Sequence, residues 1–299
     1  MTSITQETAA TTGHGSLAER IETVAAAAYR MRHYALNMGE VQGQGYVGQA
    51  LGSADMLATV YADQLRFRPD QPEWEGRDRF LLSTGHYAIG HYAALAEAGI
   101  IPLDELLTYG SDDSRLPMSA MSTYTPGMEI SGGSLGHGLG IAVGIALGLR
   151  LQGSTSRVFN FLSDGEIDEG STWEAAMAAH HHQLGNLIAM VDVNALQADG
   201  KTATVLSTEP LTEKWEAFGW YTQRVDGNNT AELVEAFDNA TSRASLAGPP
   251  AIILCDTLVG RGVPLLEERE KAHFMRIDEN EWQVCREQLT AGYEKRVHA

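Results

Sequence analysis

Apolar residues recur at helical spacing from residue 17 to about residue 38, at Leu17, Ile21, Val24, Ala28 and Met31, and predict a first helix. A glycine-punctuated turn, Gly43-Gln44-Gly45-Tyr46-Val47-Gly48, follows, and a second helix is expected from an N-cap at Ser53 to Gln64. Residues 80–84 read as a short buried strand ending at Gly85-His86, before an alanine-rich helix to about Ala98. The second half is more regular. Residues 158–162, 187–193 and 251–257 read as apolar strands, and residues 172–183 and about 279–289 as helices. Strands that alternate with helices need crossover connections. The expected fold class is therefore α/β, a mostly parallel central sheet with helices on both faces. Such sheets bind ligands in the crevice at the carboxyl ends of their strands, so the residues just after each strand are the ones to inspect. No internal repeat or linker divides the chain. Residues 1–15 read as a flexible tail and 16–299 as a single domain.

Composition narrows the functional classes. Hydrophobic residues make up 43% and charged residues 20%, ordinary values for a globular chain. The formal net charge is −18, a surface that repels phosphate backbones and anionic lipid, so no nucleic acid and no membrane is expected as a partner. A bound phosphate must be met locally, by backbone N–H groups, a few histidines or a metal ion. Two cysteines, Cys255 and Cys285, exclude a disulfide framework and a thiolate zinc site and fit a reducing compartment. The longest apolar run, residues 139–151, is broken by glycines and an arginine and is short of the ~20 residues a bilayer requires. The Thr-, Ser- and Ala-rich N-terminus has neither the basic nor the apolar region of a signal peptide, so a cytoplasmic location is expected.

The strand at 158–162 runs into Ser163-Asp164-Gly165-Glu166, and the strand at 187–193 ends at Asn194, thirty positions after Asp164. One βαβ unit takes about that length, which would make the two strand ends neighbours at one crevice. Aspartate and asparagine oxygens suit Mg²⁺, an ion that takes one or two carboxylates and completes its shell from phosphates and water. Gly165 would let a backbone N–H come close to a phosphate, and the helix that follows adds a favourable dipole. The spacing predicts a Mg²⁺-diphosphate site. The competing reading is an ordinary strand-to-helix turn followed by a turn asparagine.

Several segments carry a family resemblance. Ser163-Asp164-Gly165 with Asn194 is similar to the GDG…N signature of thiamine-diphosphate enzymes. Gly185 to Asn194 with Asp199-Gly200, Arg77 to His86, and Ser131 to Gly138 resemble segments of transketolase in the same order, and most closely its N-terminal, diphosphate-binding half. The resemblance implies thiamine diphosphate and Mg²⁺ as cofactors, with Asp164, Asn194 and the carbonyl of Leu196 as metal ligands. His86, Gly165 and His273 would contact the diphosphate, His273 lying near the reacting carbon, and Gly133 and Leu135 would lie against the cofactor rings. Glu169 and Glu174 match glutamates that link paired active sites through protons at a dimer interface. The cofactor would supply the chemistry that breaks and forms the C–C bond as a two-carbon ketol unit passes between sugar phosphates. The pyrimidine-binding domain of the family is not in this chain. The resemblance therefore implies an N-terminal subunit of a split transketolase that works with a C-terminal partner subunit in a two-plus-two heterotetramer. Two alternatives are an E1-type subunit of a 2-oxo-acid dehydrogenase, because residues 164–169 also resemble that group, and a non-catalytic cofactor-binding subunit.

Two departures bear on substrate. Tyr46 and Met128 stand where the resemblance places substrate-handling histidines. Tyrosine still donates a hydrogen bond but is a poor base near neutrality, and methionine is essentially apolar. Cofactor-holding positions kept beside altered sugar-facing ones imply a modified or branched sugar phosphate. Other patterns carry less. Gly43 to Gly48 fits GxGxxG, but it follows a helix where a dinucleotide site needs a strand. His180-His181-His182 cannot converge on one ion, since successive helical residues point about 100° apart. Asp112-Asp113 and residues 267–271 read as solvated charge runs.

Overall fold

The computed structural model describes residues 15–269 and 272–297. Five strands form the central sheet: β1 (Arg79–Leu82), β2 (Val158–Ser163), β3 (Leu187–Val193), β4 (Tyr221–Asp226) and β5 (Ala251–Asp256). All neighbours are parallel, in the order β1-β2-β3-β5-β4. The helices that frame it are α1 (Leu17–Gln42), α2 (Val47–Gly52), α3 (Ala54–Thr59), α4 (Ala88–Glu97), α5 (Gly138–Leu151), α6 (Gly170–His181), α7 (Leu211–Ala217), α8 (Thr230–Arg243) and α9 (Glu281–Val297).

Side chains alternate between the two faces of a strand, and the two core clusters follow that alternation. Phe159, Phe161, Ile188, Met190 and Ile253 pack with α1–α4, α8 and α9 on one face. Val158, Leu162, Ala189, Val191 and Leu254 pack with α5–α7 on the other. Each large apolar side chain buried this way contributes roughly 1.5–3 kcal/mol, so both faces must be covered. The expected α/β class and the layer of helices on each face are observed. Among the described residues no helix is long and apolar enough to cross a membrane.

Element ends show where local sequence decides. Ser16 closes a capping box with Glu19 at the start of α1, and Gly43 ends that helix in the left-handed region at φ 65°. The second helical segment begins at Val47, not at Ser53. Ser53 Oγ is buried and donates back to the Gln49 carbonyl, leaving no side-chain cap there. This segment ends in a wide π turn, Val60–Gln64. The apolar run after residue 138 is helix α5, and the C-terminal helix reaches Val297. The sequence pattern does not predict strand β4. It is an edge strand paired on one side only, and its mixed polar residues are partly exposed. The first fourteen residues of the expected tail lie outside the described residues.

Candidate active site

The site is assembled where β2 and β3 end side by side. Their register places Ser163 opposite Asp192, and the Asp164 N–H donates to the Asp192 carbonyl at 3.0 Å. Past the strand ends the two tips stay joined, because Asp164 Oδ2 accepts from the Ala195 N–H at 2.8 Å and from Thr202 Oγ1 at 3.1 Å. Asp164 Oδ1 accepts from the Gly165 N–H at 2.9 Å. Asn194 Oδ1 accepts from the Leu196 N–H at 3.0 Å, while its Nδ2 donates to Asp192 Oδ2 at 2.7 Å and to the Tyr87 hydroxyl at 2.9 Å. Ala195 takes the left-handed conformation, φ 59°, at the bend between them.

Charge is unbalanced here. Burial and the neighbouring Asp192 push the Asp164 carboxyl up to about 7, and burial raises Asp192 as well. Among the described residues no cationic side chain pairs with either buried carboxylate, so a divalent ion here would relieve both. The donor set suits Mg²⁺: one carboxylate, one amide oxygen and the nearby Leu196 carbonyl, with phosphate and water left to complete six. Among the described residues no three His, Cys, Asp or Glu side chains gather around one point, so a site built wholly from such ligands is absent there.

Above these tips opens a cavity of about 450 Å³ whose wall includes Tyr46, His86, Gly133, Leu135, Gly165, Leu196 and His273. Asp164 and Asn194 lie just under its floor, Asp164 only 2% exposed, while their chain neighbours Ser163, Gly165 and Leu196 reach the surface of the cavity. The two histidine rings are 5.6 Å apart, and Tyr46 packs against both, at 4.8 Å from His86 and 5.4 Å from His273. Burial, and then the charge of His273, lowers His86 to about 4, and burial lowers His273. Both are therefore neutral near pH 7, available as hydrogen-bond donors or acceptors and not as fixed positive charges.

The loop with Gly133 and Leu135 is held by close backbone packing. A Cβ on Gly85 would lie 2.4 Å from the Gly132 carbonyl carbon, and Gly133 itself takes φ +127°. Glu166, fully buried, ties the loop down from below. Its Oε1 accepts from the Gly136 N–H at 2.8 Å and from Ser83 Oγ, which in turn accepts from the Gly138 N–H at 3.0 Å.

Tyr46, His86, Gly133, Leu135, Gly165, Leu196 and His273 of the expected set come together at the cavity, and other expected residues lie elsewhere. Met128 is 6% exposed within the main core and does not line the cavity. Met118 and Ser119 do, on a segment that carries no motif. Glu169 and Glu174 are exposed, at the start of α6 and one turn into it, outside the cavity. Gly165 has an ordinary φ of −68°, and its N–H is already engaged by Asp164. Gln49 is invisible to motif reading. Its Nε2 donates to the His273 carbonyl at 2.7 Å and lies 3.2 Å from His273 Nδ1, so α2 positions that histidine. The expected solvated run at 267–271 includes Glu267, whose carboxylate accepts from the Gly262 N–H, and Arg269, paired with Glu281; Glu270 and Lys271 lie outside the described residues.

The family model for the thiamine diphosphate binding domain of transketolase matches residues 23–297. The chain belongs to the transketolase family. A transketolase family protein of Sinorhizobium fredii is 61% identical over 265 residues, 89% of this chain and 94% of that protein. A 6-deoxy-6-sulfo-D-fructose transketolase subunit of Clostridium sp. is 39% identical over 243 residues, 81% of this chain and 87% of that one. An apulose-4-phosphate transketolase subunit of Actinobacillus succinogenes is 37% identical over 264 residues, 88% of this chain and 94% of that one. The crystal structure of the Pichia stipitis transketolase complex with sedoheptulose 7-phosphate superposes with a TM-score of 0.80 at 28% identity, over 92% of this chain and 44% of that one. This transketolase-family chain thus spans less than half of the solved transketolase yet nearly all of the relatives named as subunits.

Proposed function

We propose that this chain is the diphosphate-binding subunit of a two-subunit transketolase. With a C-terminal partner supplying the pyrimidine-binding domain, it would move a two-carbon ketol unit from a ketose to an aldose phosphate. The observation that carries the reading is the junction of the β2 and β3 tips, where Asp164, Asn194 and Leu196 offer an oxygen set for Mg²⁺ beneath a cavity walled by two neutral histidines. Thiamine diphosphate, when bound, would supply the carbanion chemistry of C–C cleavage and formation. In this reading Asp164, Asn194 and Leu196 hold the ion on the diphosphate, and the loop at Gly133 and Leu135 backs the rings. His86 and His273 hydrogen-bond to the diphosphate and the reacting end of the sugar.

Partner geometry draws support from the outer face of α5 and α6. Ile141 is 42% and Met177 53% exposed, and a Cβ on Gly140, Gly144 or Gly148 would meet nothing within 4 Å. Glu169 and Glu174 stand beside this face, which fits a second copy and hence a two-plus-two assembly. For substrate, Tyr46 with Met118 and Ser119 favours a modified sugar, and the relatives named for apulose-4-phosphate and 6-deoxy-6-sulfo-D-fructose point to a phosphorylated or sulfonated ketose. A 2-oxo-acid dehydrogenase subunit is disfavoured by the match to the transketolase domain. Co-expression with a pyrimidine-domain subunit tests the proposal. Thiamine- and Mg²⁺-dependent transfer from one of these ketoses is the expected result, whereas a stable complex inert toward all of them would support the non-catalytic reading.

A further inference from the structure

A larger cavity, about 570 Å³, lies on another part of the molecule and shares no residue with the site above. It opens between α1, α9, the start of α8 and the loop that follows β5. Its wall carries four cationic side chains and two carboxylates, in a chain whose net charge is −18.

One carboxylate is ion-paired and the other holds a backbone N–H. Asp55 is engaged by Arg32 at 2.5 Å and by Asn228 Nδ2 at 3.1 Å, and Glu267 accepts from the Gly262 N–H at 2.8 Å. Two of the cations are also occupied: Arg32 by Asp55, and Arg296 by Glu22 at 3.1 Å. Arg261 and Lys295 have no side-chain partner among the described residues, although most arginines of this fold are in ion pairs. They reach the cavity from different elements, the loop after β5 and the last turn of α9. Thr230, the first residue of α8, also lines this wall, but the N-terminal N–H groups of that helix are capped by Asn229 Oδ1 and Glu232 lies in its first turn, so the charge here rests on the two side chains. Besides Asn228 and Gln288, the remaining lining is apolar and aromatic, including Ala25, Leu289 and Tyr29, whose ring stacks on Tyr293 at 4.0 Å.

We propose that this cavity binds a small phosphate monoester, its phosphate met by Arg261 and Lys295 and its organic body set against Tyr29 and Leu289. Two cationic side chains without ion-pair partners among the described residues, on different elements, suit a dianion with several acceptor oxygens better than a single carboxylate. The volume accommodates an organic body as well as the phosphate, and the apolar wall gives that body a reason to bind.

Calorimetric titration of the full chain with phenyl phosphate, and separately with inorganic phosphate, at fixed ionic strength tests this. One site is expected, tighter for phenyl phosphate than for the bare ion. Arg261→Gln or Lys295→Gln should each weaken it about tenfold or more, as loss of a charge-assisted hydrogen bond does. Both side chains are exposed, and unchanged melting curves will show that the variants fold. Asp164→Ala should leave this affinity unchanged. Absence of binding to the unmodified chain, an affinity in both charge variants equal to that of the unmodified chain, or loss of binding in Asp164→Ala would each overturn the proposal, the last by moving the phosphate to the cavity above the strand tips. That variant also keeps the two readings separate, because the present site can fail while Mg²⁺-dependent cofactor binding persists.

Discussion

Replacing Glu166 by Gln isolates the energetics of the loop beneath the cofactor cavity. Burial, only partly offset by hydrogen bonds from Ser83, Gly136 and Ser163, moves this carboxyl from 4.5 to about 7. Between those two pH values the folded chain binds a proton that the unfolded chain has released. Stability linked to this residue is therefore highest below about pH 4.5 and declines as pH rises through 7. A shift of that size corresponds to about 3 kcal/mol. Asp164 and Asp192 act in the same sense, while His86 and His91, lowered to about 4 and about 3, oppose it because the unfolded chain charges them first as pH falls. These contributions are common to both proteins and cancel in the difference. Gln keeps the acceptor for Gly136 and Ser83 but places an NH₂ where Oε2 is buried without a partner, a pH-independent cost of about 1–3 kcal/mol. Urea unfolding of both proteins from pH 4.5 to 8 without Mg²⁺ is the assay. The stability of the unmodified chain minus that of Glu166→Gln should fall by about 3 kcal/mol over this range. A flat difference curve would refute the argument.

Two further outcomes follow from packing and from the cavity wall. Gly85→Ala should destabilise the chain by about 1–3 kcal/mol, read by denaturant unfolding, because its Cβ meets the Gly132 backbone at 2.4 Å and no flexible side chain can give way. It should also weaken thiamine diphosphate binding by displacing Gly133. In the assembled two-subunit enzyme, Tyr46→His should change the ratio of kcat/KM between an ordinary ketose phosphate and the modified ketose by about tenfold, with unaltered cofactor affinity; an unchanged ratio would remove Tyr46 from substrate choice.

Much of this architecture is legible in the chain because its signals are local. β3 is a seven-residue strand bounded by Asn186 and Asn194, apolar except for Asp192 and buried on both faces, and its limits can be read directly. The tips at Asp164 and Asn194 are legible because one βαβ length separates them. Features that depend on tertiary contact are not. β4 takes its conformation from β5, so its half-polar sequence carries no strand pattern. Met128 stands where the family resemblance places a substrate-handling histidine, yet the chain turns it into the core and brings Met118 and Ser119 to the cavity. Gln49 is one polar residue in a glycine-rich helix, and its hold on His273, 224 positions away, exists only once the chain has folded.

Titration of thiamine diphosphate into the chain, once with Mg²⁺ and once with EDTA, tests the cation grip of the two strand tips most directly. The account predicts binding that requires Mg²⁺ and disappears in Asp164→Ala while the melting curve of that variant remains cooperative. Equal affinity in EDTA, or Mg²⁺-dependent affinity unchanged in Asp164→Ala, would contradict it.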